Sequence, residues 1–155
     1  MDGGDEHVDL WVAGAPEGMT QPVPARKMED GTFVILFSPG MVQGIAAGDT
    51  IRLSDRHPGA FDVIRHGGNV CVQILRREGI KPVVEWMLPR IQALTGRLDG
   101  AIERGAVFTV PLTAGFRAIE EVMEAALKEF PEIEWYYGNV YADDGITPLN
   151  WWLAP

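Results

Sequence analysis

The sequence predicts an α+β fold, in which a small β-rich, barrel-like N-terminal unit (residues 1–66) is followed by a ferredoxin-like βαββαβ unit (residues 67–155). Three observations support this prediction. Short apolar runs divided by turn residues fill the first part of the chain, helical periodicity appears only in the second part, and the elements there follow the order strand, helix, hairpin, helix, strand. That order is the split β-α-β arrangement, with both helices on one face of an antiparallel sheet.

The N-terminal unit is predicted from several short strands. The expected strands are residues 8–12, 24–28, 32–37, 50–53 and 61–64. The third is the strongest, because its apolar run is continuous enough for burial on both sides, and the Asp30-Gly31 pair before it favours a hairpin. Pro24 places the second strand at a sheet edge or at a strand start. Several short strands at this spacing are typical of a small barrel or a strongly curled sheet.

The C-terminal unit is predicted from clearer periodic patterns. The expected strands are residues 70–75, 98–103, 106–110 and 133–141, and the expected helices are residues 81–94 and 116–130. Pro82 is tolerated at the first helical position, whereas Pro89 removes a backbone donor and should kink the first helix or divide it in two. The second helix is amphipathic, with apolar residues on one side and charged residues on the other.

Composition and charge narrow the class of protein. The 155-residue chain is 46% hydrophobic and 23% charged, which is ordinary for a soluble globular protein. Its formal charge of −9 argues against nucleic-acid binding, which needs clustered Lys and Arg. No apolar stretch approaches the length of about 18 residues needed to span a membrane, and the acidic N-terminus lacks the pattern of a secretion signal. The cytoplasm is therefore the expected location.

The single cysteine, Cys71, excludes an internal disulfide and a multi-cysteine metal site. It lies within an apolar strand pattern, so we expect a buried, inert thiol. Serine nucleophile elbows, phosphate-binding loops, zinc-protease helices and paired cysteines are all absent from the sequence. No catalytic residue, metal ligand or cofactor is therefore predicted.

Acidic residues are concentrated in the C-terminal part of the chain. Residues 118–155 contain eight acids and one base, a local balance of −7. This asymmetry is explained either by a solvated face without a partner or by an acidic docking surface for a basic partner protein. The candidate partner-binding residues are Glu120, Glu121, Glu124, Asp143, Asp144, Trp151 and Trp152.

The two adjacent tryptophans of this set would be costly in water on a terminal segment. They either pack back on the barrel or cover a sheet edge, or they form an exposed apolar anchor for a partner, since aromatic residues concentrate in interface hot spots.

Two further groups of side chains could carry chemistry. Asp55, His57, Asp62 and His66 combine carboxylates with imidazoles, which can bind zinc or form an acid-base pair, although their position around a Pro-Gly turn favours ordinary surface residues. Glu134, Asp143 and Asp144 lie near Tyr136 and Tyr141. Paired carboxylates can hydrolyse glycosides when held at the right separation, but a solvated acidic patch is the simpler interpretation here.

Four short motifs resemble an uncharacterised bacterial family, the domain of unknown function numbered 4265. They are Asp30-Gly31-Thr32-Phe33-Val34-Ile35, Gly48-Asp49-Thr50-Ile51, His66-Gly67-Gly68-Asn69-Val70 and Val110-Pro111. The resemblance covers about residues 8–141, and Phe-Ser-Pro-Gly at positions 37–40 departs from the family pattern. It implies no agreed activity and no catalytic residues.

The function expected from these features is non-enzymatic binding of a protein partner through the acidic C-terminal part. An immunity-type inhibitor of a bacterial toxin is one instance, since a small acidic chain can cover a basic enzyme. The alternative is a small-molecule-binding regulatory domain of ferredoxin-like type, for which the hint is the pair of glycines at 67–68. An enzyme ranks third and would require His57 or His66 to meet a carboxylate in a cleft. The sequence leaves the oligomeric state open.

Overall fold

The computed structural model describes residues 4–16 and 18–153. These residues form two antiparallel sheets and two α-helices, which confirms the α+β class. Within the described residues, no helix is long and apolar enough to cross a bilayer.

The first sheet is a five-stranded antiparallel meander in the order β1-β2-β3-β4-β5. Its strands are β1 (Asp5–Trp11), β2 (Thr20–Lys27), β3 (Phe33–Ile35), β4 (Thr50–Leu53) and β5 (Phe61–Arg65). Alternate residues of the strands point into one apolar core, which includes Leu10, Val23 and Ile35. Burying each of these side chains stabilises the sheet by about 1.5–3 kcal/mol.

The position of β2 differs from the expectation drawn from Pro24. The strand lies between β1 and β3 and begins at Thr20, so it is not an edge strand and Pro24 is not at its start. It pairs with β3 only from Ala25 to Lys27. Pro22 and Pro24 precede that stretch, and the Pro24 carbonyl still accepts a bond from the Leu36 amide over 3.0 Å. The missing N–H groups of the two prolines therefore lie outside the paired residues of β2 and β3.

The two ends of the first sheet approach each other beside Gly59. The Trp11 amide donates to the Gly59 carbonyl over 2.9 Å, which joins the end of β1 to the loop before β5. Gly59 has a φ of +77°, and a Cβ atom there would lie 2.6 Å from the Trp11 nitrogen. Only glycine therefore permits this approach, which curls the sheet.

The second sheet has four antiparallel strands in the order β7-β8-β6-β9. The elements of this half are β6 (Asn69–Leu75), α1 (Lys81–Ala93), β7 (Arg97–Ile102), β8 (Gly105–Pro111), α2 (Phe116–Glu129) and β9 (Glu134–Tyr137). Short 3₁₀ turns occur at Leu112–Ala114 and Trp151–Leu153. Helix α1 continues through Pro89 as one element, so the alternative of two short helical pieces is wrong. Pro89 is exposed and near the helix end, where losing one backbone hydrogen bond has little effect on packing.

The two faces of the second sheet bury different kinds of side chain. The face toward the helices buries an apolar core, in which Val72 and Phe108 pack against Met87 and Met123. The strand period places Cys71 and Gln73 on the opposite face. Both residues are buried there, which confirms the predicted burial of the Cys71 thiol. Burial raises the pKa of this thiol to about 12, which disfavours the reactive thiolate.

The segment that covers this opposite face is residues 36–49, here called the bridging loop. The Ser38 amide donates to Asp99 Oδ2 over 2.6 Å, and the Ser38 hydroxyl bonds to the Thr109 hydroxyl over 2.6 Å. Gln73 Nε2 donates to the Pro39 carbonyl over 3.0 Å. Since these groups are buried, the bonds satisfy polar atoms that would otherwise destabilise the fold.

The bridging loop also explains why β3 is shorter than the predicted strand 32–37. The Leu36 amide still donates to the Pro24 carbonyl of β2 over 3.0 Å, but the Leu36 carbonyl accepts a bond from the Arg97 guanidinium over 2.7 Å, so the chain turns toward the second sheet at this residue. Further along the loop, the Gly44 amide donates to the Gly138 carbonyl over 2.8 Å. The loop therefore joins the two sheets through the backbone rather than only through apolar contact.

Candidate functional site

A cavity of about 850 Å³ lies along β9, at the edge of the second sheet, and is here called the β9 groove. The residues that line it are Trp11, Ala13, Gly14, Gln43, Gln73, Glu120, Glu124, Trp135, Tyr136, Tyr137, Tyr141, Ala142, Asp143 and Gly145. Five of them are aromatic, three are carboxylates, and none of the described lining residues is Lys, Arg or His. This size lies within the usual range for ligand pockets, about 300–1,000 Å³.

Distant parts of the chain form the walls of the β9 groove. Strand β9 supplies Trp135, Tyr136 and Tyr137, while Trp11 and Gly14 come from the end of β1 and the loop after it. A hydrogen bond between two side-chain amides fixes the floor of the groove, where Gln43 Nε2 donates to Gln73 Oε1 over 2.9 Å.

The acidic wall comes from α2. Glu120 and Glu124 are four residues apart, which places both on one face of the helix. The Tyr137 hydroxyl donates to Glu120 Oε2 over 2.8 Å, and the Trp135 and Tyr137 rings meet edge to face at 5.0 Å. Burial of the phenol, together with the neighbouring Glu120 carboxylate, raises the pKa of Tyr137. The wall therefore combines negative charge with the electron-rich faces of two rings.

Three of the predicted partner-binding residues, Glu120, Glu124 and Asp143, line the β9 groove. Glu121 lies outside it and pairs with Arg117 over 3.4 Å on the exposed side of α2. Asp144 holds the terminal turn, where its carboxylate accepts bonds from the Ile146 and Thr147 amides over 2.8 Å each. The Thr147 hydroxyl also donates to Asp144 Oδ2, and this bond is the main reason why the pKa of the Asp144 carboxyl is lowered.

Trp151 and Trp152 are half-buried against the core of the second sheet. Trp151 stacks on His66 with ring centroids 4.8 Å apart, and its Nε1 donates to the Asn139 carbonyl over 2.7 Å. Trp152 meets Phe116 edge to face at 5.1 Å. They pack back on the molecule, against the second core rather than the N-terminal sheet, and neither lines the β9 groove.

The predicted group of Asp55, His57, Asp62 and His66 does not come together as one site. Asp62 pairs with Arg56 over 2.9 Å, and the His57 ring contacts Trp11. Throughout the described ranges, no three His, Cys, Asp or Glu side chains are placed to hold a metal ion.

His66 does meet a carboxylate, but the partner is Asp49, which the sequence did not single out as a chemical residue. His66 Nδ1 lies 3.3 Å from Asp49 Oδ2. The Asp49 carboxylate is buried and accepts bonds from the Gly67 amide over 2.7 Å and the Ala46 amide over 3.0 Å. Burial raises the pKa of Asp49. Neither His66 nor Asp49 lines the β9 groove. Because His66 and Gly67 lie between β5 and β6, their bonds to Asp49 hold the connection between the two sheets.

The second predicted group, Glu134, Asp143 and Asp144, is also divided. Asp143 lines the groove and Asp144 holds the turn, while Glu134 Oε2 accepts a bond from the Tyr136 hydroxyl over 3.3 Å. Sequence reasoning missed Trp11, because the acidic and aromatic residues of β9 and α2 with which it lines the groove lie more than a hundred positions along the chain.

Comparison with known proteins identifies a family and a shared fold. The model of a family described as a domain of unknown function (DUF4265) matches residues 22–134. The match ends before Trp135, so the aromatic wall of the β9 groove lies outside it. No curated protein matches the chain at a significant level.

A crystal structure described as a novel structure of a hypothetical protein from Neisseria gonorrhoeae is similar to this chain, with a TM-score of 0.65 and 14% sequence identity. The alignment covers 89% of this chain and 94% of that one. At this identity the similarity shows a common fold alone.

Proposed function

The chain belongs to the DUF4265 family, and from that premise we propose that it is a non-enzymatic protein that binds a basic segment of a partner protein in the β9 groove. The observation that carries this proposal is the composition of the groove, which has three carboxylates, five aromatic rings and no basic side chain among its described lining residues. A cationic side chain complements both the charge and the rings.

The energetics of such a site favour Lys or Arg. A cation over an aromatic ring gains about 0.5–1 kcal/mol at an exposed site and about 2 kcal/mol when desolvated. Glu120 and Glu124 add attraction across the groove, and the local charge of −7 over residues 118–155 would speed the encounter with a basic partner. A toxin with a basic active surface is one such partner, and an immunity-type role in the reducing cytoplasm follows from it.

We also propose that the second unit of the chain is ferredoxin-like and that the first unit is barrel-like. The order β7-β8-β6-β9, with α1 and α2 on one face, supports a ferredoxin-like second unit. The bond between Trp11 and Gly59 supports a barrel-like curl of the first unit.

The test measures binding of a fluorescent lysine-rich peptide by anisotropy. Glu120→Gln, Glu124→Gln and Asp143→Asn are combined in one variant, which keeps side-chain size while removing the charges. We expect binding of the wild type to weaken with salt, and the triple variant to lose at least about tenfold in affinity, since three charge contacts of about 0.5 kcal/mol each are removed.

The matched control removes three charges outside the groove, through Glu121→Gln, Glu129→Gln and Glu78→Gln. All six substituted positions are exposed helix or turn sites, so both variants should fold. Equal losses in the two triple variants would mean that net charge rather than the β9 groove binds the peptide. A neutral peptide of the same length that binds as tightly would exclude the proposal.

A small organic cation is the second candidate ligand, because the cavity volume suits one. The Gly67-Gly68 pair does not support such a site, since Gly67 packs against the Gly48 backbone away from the groove. A thermal-shift screen distinguishes the candidates, since a bound small molecule raises the melting temperature of the isolated protein by mass action.

A further inference from the structure

We infer that the basic segment binds as an added β-strand along the free edge of β9, so that its backbone pairs with Trp135 and Tyr137 while alternate side chains enter the β9 groove. This inference rests on the proposed function and specifies the conformation of the partner. Three observations support it: the direction in which the backbone N–H and C=O groups of β9 point, the location of the groove and the charge around it.

Strand β9 has a paired neighbour on one side only, because β6 is next to it and the sheet ends there within the described chain. The Gly138 amide donates to the Cys71 carbonyl over 2.8 Å, which fixes the direction in which the backbone groups point. Directions alternate along a strand, so Tyr136 faces β6 like Gly138, whereas Trp135 and Tyr137 direct N–H and C=O away from it. Their outward groups run along the groove that their side chains line.

The opposite edge of the same sheet, strand β7, is protected against pairing with another chain, whereas the β9 edge is not. Strand β7 has a register shift between Leu98 and Gly100, and such bulges discourage pairing with another chain. The Arg97 guanidinium there is bonded to the Leu36 carbonyl, and the buried Asp99 carboxylate accepts from the bridging loop. Strand β9 carries neither a bulge nor a proline.

The walls of the groove specify the side chains of the incoming strand. Residues on one side of it would face Glu120, Glu124 and the Tyr137 ring, and residues on the other side would face Tyr136 and Trp11. Because side chains alternate along a strand, a segment with a basic residue at every second position and an apolar residue between them fits both walls.

A second copy of this chain is a poor occupant of the edge. Pairing β9 with β9 would bring Glu134 and the Glu120 and Glu124 wall of one molecule beside the same carboxylates of the other. Like charges held across an interface destabilise it, so charge complementarity favours a foreign basic strand.

The test uses a peptide of about eight residues in which Lys and Val alternate, a length within the usual range of β-strands. In two analogues every second backbone amide is N-methylated, which removes donors along one edge of the peptide and leaves the other edge intact. We expect one analogue to bind about tenfold more weakly, because two backbone hydrogen bonds are lost, and the other to bind like the parent. Amide exchange of Trp135 and Tyr137 should slow when the parent peptide binds.

The outcomes separate this inference from the proposed function. If the parent peptide binds and the Glu120, Glu124 and Asp143 variant weakens it, but both methylated analogues bind like the parent, the groove takes a basic segment without strand pairing and the inference is wrong. If the parent peptide does not bind at all, both the inference and the proposed function fail. An isomeric peptide with the lysines grouped together provides the sequence control, and equal binding by it would also contradict the alternating pattern.

Discussion

The substitution Asp99→Ala tests whether the bridging loop is held by buried polar bonds. The side chain of Asp99 has no exposed surface, and its carboxylate accepts bonds from the Ser38 amide over 2.6 Å and the Thr109 hydroxyl over 2.5 Å. Arg97 Nε is its third donor, at 2.6 Å. Removing the carboxylate leaves the buried Ser38 amide without an acceptor.

The expected loss follows from these three contacts. A hydrogen bond to a charged group contributes about 1.5–3 kcal/mol, and an orphaned buried donor costs about 1–3 kcal/mol. Arg97 is half exposed and regains water, and the Thr109 hydroxyl keeps its bond to Ser38, so the Ser38 amide dominates. We expect Asp99→Ala to lower the free energy of unfolding by about 3 kcal/mol, and Asp99→Asn, which keeps one acceptor, by about half as much.

Urea unfolding followed by circular dichroism measures this loss, with the slope against urea serving to check that the folded and unfolded states are unchanged. Asp62→Ala is the matched control, since its ion pair with Arg56 is more than half exposed and should contribute less than about 1 kcal/mol. If Asp99→Ala unfolds at the same urea concentration as Asp62→Ala, the bridging loop is held by apolar packing and not by the buried bonds of Asp99.

Two further predictions concern β9 and the residue after it. The raised pKa of Tyr137 means that the folded protein keeps the phenol protonated at a pH where the unfolded chain ionises it, so its stabilisation is complete below about pH 10 and is lost as the pH rises through the folded pKa. Tyr137→Phe should therefore flatten the decline in unfolding free energy above about pH 10, measured by urea titration at each pH, and an unchanged decline would assign it to other groups. At Gly138, an added Cβ would lie 2.5 Å from Cys71 Sγ, so Gly138→Ala should cost about 1–3 kcal/mol by overpacking. Cys71→Ala in the same chain should recover part of that loss, and an equal loss in both backgrounds would show that the sulfur is not the obstacle.

The second half of the fold was predictable because its signals are local. Helical periodicity and the residues that interrupt it placed the helices at residues 81–94 and 116–130, and the structure has Lys81–Ala93 and Phe116–Glu129. The last strand was predicted to extend to residue 141 but ends at Tyr137, since the Gly138 carbonyl turns to accept a bond from the bridging loop. A contact with a segment almost a hundred residues away leaves no periodic signal.

The candidate site was predictable only in its charge. Glu120, Glu124 and Asp143 were singled out because acids are concentrated after residue 118, and those three line the β9 groove. The residues around Trp11 in the sequence did not indicate that this side chain would line a groove with β9. Trp11 and β9 come together only through the tertiary fold, in which the bridging loop docks on the second sheet. Asp49 and Asp99 resemble surface acids in the sequence, and the fold alone makes them buried acceptors.

The bridging loop also sets an order of events during synthesis. Seventy-one residues separate Ser38 from Thr109, and 61 separate it from Asp99. Because a chain emerges N-terminus first, the first sheet leaves the ribosome while the surface on which its loop will dock has not been made. Until the second half of the chain has folded, the Ser38 and Gly44 amides must remain bonded to water, since their acceptors are Asp99 and the Gly138 carbonyl. Closing loops of this length slows the final step of folding. We therefore expect the nascent N-terminal part to be the stage at which this protein most needs protection from aggregation.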